Sequence, residues 1–120
     1  MEESKKPLDV ATAFTEAWTS HDMERAAKYI GEDVVFDGPM GHTDGAKAYI
    51  EGLTGLSKEV IGFRMIAGFG DEGQALVMYA LITKSYGTLT CAKRLMVRDG
   101  KIRHDLLTFD SDKIRNAKAA

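Results

Sequence analysis

The second half of the chain constrains the fold most. Four long apolar runs, EVIGFRMIAGF (59–69), QALVMYALITK (74–84), TLTCAKRLMV (88–97) and KIRHDLLTF (101–109), are separated only by GDEG, SYG and RDG. Runs rich in β-branched and aromatic residues between such turn residues read as strands. The connections are too short for a crossover, so the four strands must be antiparallel neighbours. A four-stranded sheet of this kind needs cover on one face, and the first half of the chain has to supply it.

That half reads as helices around one short strand. Val10, Phe14, Ala17 and Trp18 share a stripe in a helix beginning near Leu8, with Pro7 suited to its first turn. SHD at 20–22 breaks it, and Asp22 is a natural N-cap for a second helix over MERAAKYI, ended by Gly31. VVFD (34–37) predicts a strand. Ala46, Tyr49, Ile50 and Leu53 then recur at helical spacing, in a third helix closed near Gly52 or Gly55. Three N-terminal helices on one face of a curved antiparallel sheet define an α+β fold, and such a sheet tends to enclose a pocket. At 120 residues the chain is a single domain, 1–120, with its core at about 8–110 and tails at 1–6 and 111–120 that look dispensable.

Composition narrows the function classes. Sixteen basic against 18 acidic residues give a net charge of −2 with no basic stripe, so a nucleic-acid partner has no electrostatic footprint. No apolar run reaches membrane-spanning length, and the N-terminus has no signal-peptide core; a membrane partner is not expected. The single Cys91 cannot form an internal disulfide, which suits a cytoplasmic protein, and inside a strand it reads as a small buried hydrophobe. None of the three histidines stands at metal-ligand spacing from another ligand, so neither a metal nor a cofactor is expected.

Several stretches resemble the nuclear transport factor 2-like superfamily, in its SnoaL-like and ketosteroid-isomerase-like branch. FTEAWTSHDMERAAKYIGEDVVFDGP is similar to its opening helices and first strand, HTDGAKAYIEGL to its third helix, and RDGKI with the strand ending at Phe109-Asp110 to its last hairpin. The resemblance covers about residues 8–110. It implies a cone-shaped homodimer, paired through the sheet face, with an apolar cavity for a small hydrophobic molecule. The activities in this group include isomerases, cyclases, dehydratases and epoxide hydrolases, alongside non-catalytic modules, so function has to come from the site.

Tested on the resemblance, the ketosteroid-isomerase set is missing. That chemistry uses an aspartate base and an oxyanion hole of a tyrosine and a protonated aspartic acid. The matching positions here are Gly38, Phe14 and Lys93. The acidic residue that limonene-epoxide-hydrolase-like members carry on the last strand falls at Leu107.

What the resemblance leaves is Asp105, which with Leu107 and Phe109 would face the cavity. Its partner depends on the RDG turn. A three-residue loop with a G1 bulge puts Lys93 opposite Asp105; a two-residue type I′ turn puts Arg94 there. A cation beside it would hold the carboxylate ionised and polarise a substrate carbonyl; the structural alternative is a cross-strand pair. In the loop FDGPMGHTDG (36–45), His42 with Asp37 or Asp44 could form an acid/base couple over the cavity mouth, although turn and capping roles explain the same residues. Asp44 reads best as a helix cap, and His104 should point to the other sheet face. Phe14, Trp18, Met40, Met65, Leu95, Leu107 and Phe109 are the candidate cavity wall. Two functions follow: a SnoaL-like enzyme with Asp105 as acid/base, Lys93 as electrostatic partner and His42 or Asp37 assisting, or a non-catalytic ligand-binding or dimerisation module.

Overall fold

A computed structural model describes residues 4–119, with side chains as far as Asn116. The elements run α1 (Pro7–Thr19), α2 (Met23–Ala27), β1 (Ile30–Gly38), β2 (Gly41–Asp44), α3 (Ala46–Ser57), β3 (Val60–Gly70), β4 (Gln74–Thr83), β5 (Gly87–Arg98), β6 (Lys101–Phe109) and α4 (Asp112–Ala119). The six strands form one open, curved sheet in the order β2-β1-β6-β5-β4-β3, and with its helices the fold is α+β.

The four long strands are antiparallel neighbours, as their short turns require. The sheet as a whole is mixed, because β1 pairs in parallel with β6. Sequence cannot reveal that pairing, since it joins the first and last strands across the whole chain. Bulges at Val60/Gly62, Met65/Ala67 and Met96/Val97 break the ladders. Each extra residue bends its strand and increases the local twist, which curls the sheet around α1.

Helix α1 lies across β3, β4 and β5, and α3 packs on β1 and β2. The stripe read from the sequence is the buried one: Val10, Phe14, Ala17 and Trp18 are all at most 1% exposed. Across from them stand Val77, Tyr79, Leu81, Leu95 and Ile102 from the inner face of the sheet. Asp22 caps α2 as expected, its carboxylate accepting from the Arg25 amide at 3.1 Å.

Several boundaries differ from the sequence reading. Helix α2 stops at Ala27, and Ile30 already belongs to β1, because Ile102 N–H donates to Tyr29 O at 2.7 Å and draws that segment into the sheet. Helix α3 runs through Gly52 and Gly55 to Ser57. Neither glycine is needed for a left-handed cap, and each adds only its usual interior cost of about 1 kcal/mol. The N-cap of α3 is Gly45, at φ 90°, so Asp44 is not the cap. The loop 39–45 is largely a hairpin, with β2 turning back on β1 through Pro39 and Met40.

The C-terminal tail packs on the fold beyond the expected core of 8–110: α4 buries Ile114 in the core. Arg115 also donates to Pro39 O at 3.1 Å, tying α4 to the β1–β2 turn. Of the two tails, residues 1–3 and 120 lie outside the described residues.

Candidate functional site

The site begins with the β5–β6 hairpin. Its turn is the two-residue kind, with Asp99 at φ 56° and Gly100 at φ 75°, as type I′ demands. Left alone, that turn would put Arg94 opposite Asp105. Between Val97↔Ile102 and Met96↔His104, however, Arg103 is an extra residue, and the register slips by one. Leu95 therefore stands opposite Asp105 and Lys93 opposite Leu107, so neither register drawn from the sequence applies. The slip has a chemical consequence. It moves every side chain of β6 beyond the bulge to the other face, so that Asp105 shares the inner face with Lys93 instead of Arg94.

Lys93 then reaches Asp105 along the diagonal, with Nζ 3.3 Å from Oδ2. Their side chains are only 3% and 2% exposed. Tyr49, from the inward stripe of α3, donates its hydroxyl to the same Oδ2 in a short hydrogen bond. Oδ1 of Asp105 is buried without a hydrogen-bond partner. The ammonium of Lys93 lies 5.1 Å from the Phe14 ring centroid, 5.5 Å from Tyr79 and 5.9 Å from Trp18, within cation–π range of all three. Phe14 in turn stacks on Tyr49, centroids 6.2 Å apart. Burial first, and then the Asp105 charge, push the Tyr49 hydroxyl well above the ordinary phenol range. Tyr49 is thus a hydrogen-bond donor that does not ionise.

This cluster forms part of the wall of a cavity of about 160 Å³. Trp18, Tyr79 and Leu107 line it with the cluster, and Phe36, Leu53 and Leu56 close it from β1 and α3. Two further lining residues carry buried polar atoms without partners, Trp18 Nε1 and Thr43 Oγ1. Orphaned buried polar atoms are uncommon, and here three belong to residues that line one apolar cavity.

Of the residues named from the sequence, Asp105, Lys93, Trp18 and Leu107 line the cavity. Phe14, Met40, Met65, Leu95 and Phe109 are not among its lining residues. Phe14 and Leu95 are core, each 0% exposed, and Met40 lies 45% exposed in the β1–β2 turn. Tyr49, which the sequence shows only as a core residue of the third helix, is the residue missed: it lines the cavity and donates to Asp105. The available signal was a tyrosine on a buried stripe, whose hydroxyl must find a partner.

His42 and Asp37 do not reach the cavity. Phe36 pairs with Asp105 and lines the cavity, so its neighbour Asp37 points out of the opposite face. There His42 bridges two carboxylates, Nδ1 to Asp37 at 2.7 Å and Nε2 to Asp44 at 3.0 Å. Asp37 also accepts from His104 Nε2 at 2.9 Å, and Arg94 donates to His104 Nδ1 at 3.3 Å. The order Asp44–His42–Asp37–His104–Arg94 is a surface charge network rather than an acid/base couple over the cavity.

The network makes a pH prediction. The hydrogen bond to Asp37, then that to Asp44, raises the His42 pKa above 6.5, and both histidines lower that of Asp37 below 3.8. A raised histidine stabilises the fold fully below about pH 6.5 and loses that contribution as pH rises through its folded value. A depressed aspartate stabilises above about pH 3.8 and loses it as pH falls through its folded value. Both contributions are therefore present together between about pH 4 and 6.5. An NMR titration of the His42 ring should give a midpoint above 6.5, and Asp37→Asn should lower it; an unchanged midpoint would mean that Asp37 does not hold the ring.

An open, curved α+β sheet with helices over one face is the NTF2-like fold, and here a polar cluster stands in the wall of an apolar cavity. The model of the SnoaL-like domain matches residues 11–105, and the chain belongs to that family. A crystal structure of a protein from Kribbella flavida DSM 17836 is similar at 31% identity and a TM-score of 0.92, over 97% of this chain and 96% of that one. An NTF2-like protein of unknown function from Cytophaga hutchinsonii ATCC 33406 shares the fold at 19% identity and a TM-score of 0.80, over 96% and 97%. An LEH-like epoxide hydrolase of M. tuberculosis does so at 20% identity and a TM-score of 0.75, over 92% and 86%. No curated protein matches the chain in sequence. Among the described residues, no helix is long and apolar enough to cross a membrane.

Proposed function

We propose that this chain is an enzyme acting on a small hydrophobic molecule by proton transfer, of the isomerase, cyclase or dehydratase kind, with Asp105 as the acid/base. The observation that carries this reading is the buried Asp105 carboxylate in the cavity wall, one oxygen held by Tyr49 and Lys93 and the other without a partner. Two donors on Oδ2 fix the carboxylate's orientation, and the second oxygen is left to take a proton. Lys93 balances the charge and can favour electron density that develops on a substrate oxygen. The apolar wall supplies the dry surroundings in which such interactions are strongest.

The enolate routes of isomerisation, cyclisation and dehydration share a first step, removal of a proton beside an electron-withdrawing group. Deuterium exchange into the α-positions of cyclohexanone in D₂O, followed by NMR, therefore tests the reading without the natural substrate. Exchange above the buffer rate is expected, with Asp105→Asn slowing it about 100-fold or more, the usual size of a general-base contribution. Exchange that Asp105→Asn leaves unchanged would remove Asp105 as the base.

A second surface supports a self-association reading. Leu76, Met78 and Ile82 of β4, Met96 of β5 and Leu106 of β6 lie on the outer face of the sheet, each between 41% and 55% exposed. We infer that two copies pair through this face, which would also cover the Arg94–His104 end of the charge network. A mass of twice 13.2 kDa is expected at micromolar concentration, falling to that of one chain in Met96→Glu/Leu106→Glu. A wild-type protein of single-chain mass would sink this reading and leave the cavity chemistry standing.

A further inference from the structure

We propose that Lys93 is a nucleophilic amine that forms an imine with a small aldehyde or ketone bound in the cavity. This goes beyond proton transfer by Asp105 and shares with it the admission of a small molecule and the use of Asp105 as proton carrier. Its basis is where Lys93 stands. The side chain is buried, lines the cavity, and has one polar partner among the described residues, the Asp105 carboxylate. Its other N–H groups face the rings of Phe14, Trp18 and Tyr79 rather than an acceptor. Lys93 is held in an apolar wall, where an amine can act as a nucleophile once its proton has somewhere to go.

Asp105 is that place. The ammonium passes one proton to Asp105, 3.3 Å away, and the neutral amine attacks the carbonyl carbon. The new C–N bond forms as the carbonyl π electrons move to oxygen, and transfer of a proton from the attacking nitrogen to that oxygen gives the neutral carbinolamine. Asp105 returns its proton to the carbinolamine hydroxyl, the C–O bond breaks, and water leaves. In sum, an ammonium and a carbonyl compound give an iminium ion and water, with the Asp105 carboxylate regenerated. The iminium keeps its positive charge at the atom where the ammonium had it. The carboxylate and the three rings that hold the one therefore hold the other, and no new buried charge has to be accommodated.

The cavity limits the ligand. About 160 Å³ is close to the roughly 150 Å³ of an apolar cavity that takes up benzene, so the carbonyl compound has a single ring or a short chain.

The test traps the imine by reduction. The folded wild-type protein is incubated with benzaldehyde and sodium cyanoborohydride, and the secondary amine is mapped by peptide mass spectrometry. Lys93 should be labelled at benzaldehyde concentrations at least tenfold below those that label the exposed Lys47, Lys58 and Lys84. Lys93→Arg should abolish this early label, and Asp105→Asn should slow it tenfold or more. Labelling of the surface lysines with Lys93 unmodified would overturn the proposal on the wild-type protein, whatever the stability of the variants. Toluene and cyclohexanone, followed by NMR shifts of the Trp18 indole, separate the two readings. Occupancy with deuterium exchange but no trapped Lys93 defeats the imine and leaves proton transfer intact, whereas trapping without Asp105-dependent exchange does the reverse.

Discussion

Lys93→Met is expected to destabilise the protein by about 3–5 kcal/mol, because it leaves the Asp105 carboxylate buried with only the Tyr49 hydroxyl against it. The magnitude is set by desolvation. Removing one partner of a buried ion pair strands the other charge, whereas removing both removes the need for compensation. The triple variant Lys93→Met/Asp105→Leu/Tyr49→Phe should therefore unfold within about 1 kcal/mol of wild type, or above it, since replacing a buried ion pair by apolar residues is often neutral or stabilising by roughly 1–4 kcal/mol. Urea unfolding of the two variants with a common slope would decide the matter. A Lys93→Met protein as stable as wild type would mean that the pair is solvated, and the cavity chemistry would lose its dry setting. If the single variant falls and the triple variant recovers, the cluster contributes little net stability for its position in the core. A charge pair that a core does not need for stability is what a functional site looks like.

The sequence carried the fold further than it carried the site, and the difference has physical causes. Strand and helix periodicities are local, so the buried stripe of α1 and the four-strand meander could be read directly. The parallel pairing of β1 with β6 depends on contacts about 70 residues apart, such as Phe36↔Asp105, and leaves no local trace. The partnership of Lys93 with Asp105 was anticipated for a reason that proved incomplete. Turn chemistry correctly allowed a two-residue type I′ hairpin, but the bulge at Arg103 changed which residues face each other. A single unpaired residue exchanges the two faces of a strand, and nothing in KIRHDLL announces where it will fall. Tyr49 illustrates the opposite limit: its burial was legible from helical spacing, but the acceptor for its hydroxyl lies on a strand 56 residues away. The loop 36–45 misled because its polar residues suit an active-site rim as well as a hairpin, and alternation along β1 turns Asp37 outward.

Phe14→Ala joins the core to the chemistry and should show both effects at once. Phe14 is 0% exposed, stacks on Tyr49 and lies 5.1 Å from the Lys93 ammonium. Truncating a buried phenylalanine costs about 3–5 kcal/mol, from lost transfer free energy and the cavity left behind. Loss of the ring also takes one face from the ammonium, where a desolvated cation–π contact contributes about 2 kcal/mol. These figures overlap, so the total should stay near the upper end of the first range rather than reach their sum. The new void borders Tyr49 and Lys93, both already in the wall of the 160 Å³ cavity, so the two spaces should merge. The variant should then take up a bicyclic ketone such as tetralone that wild type excludes, and binding should restore part of the lost stability by mass action. Phe14→Leu, which keeps most of the volume, should lose less stability and continue to exclude tetralone. Equal tetralone binding by wild type and Phe14→Ala would show that the cavity opens more widely than its 160 Å³, and the single-ring limit on the ligand would fall with it.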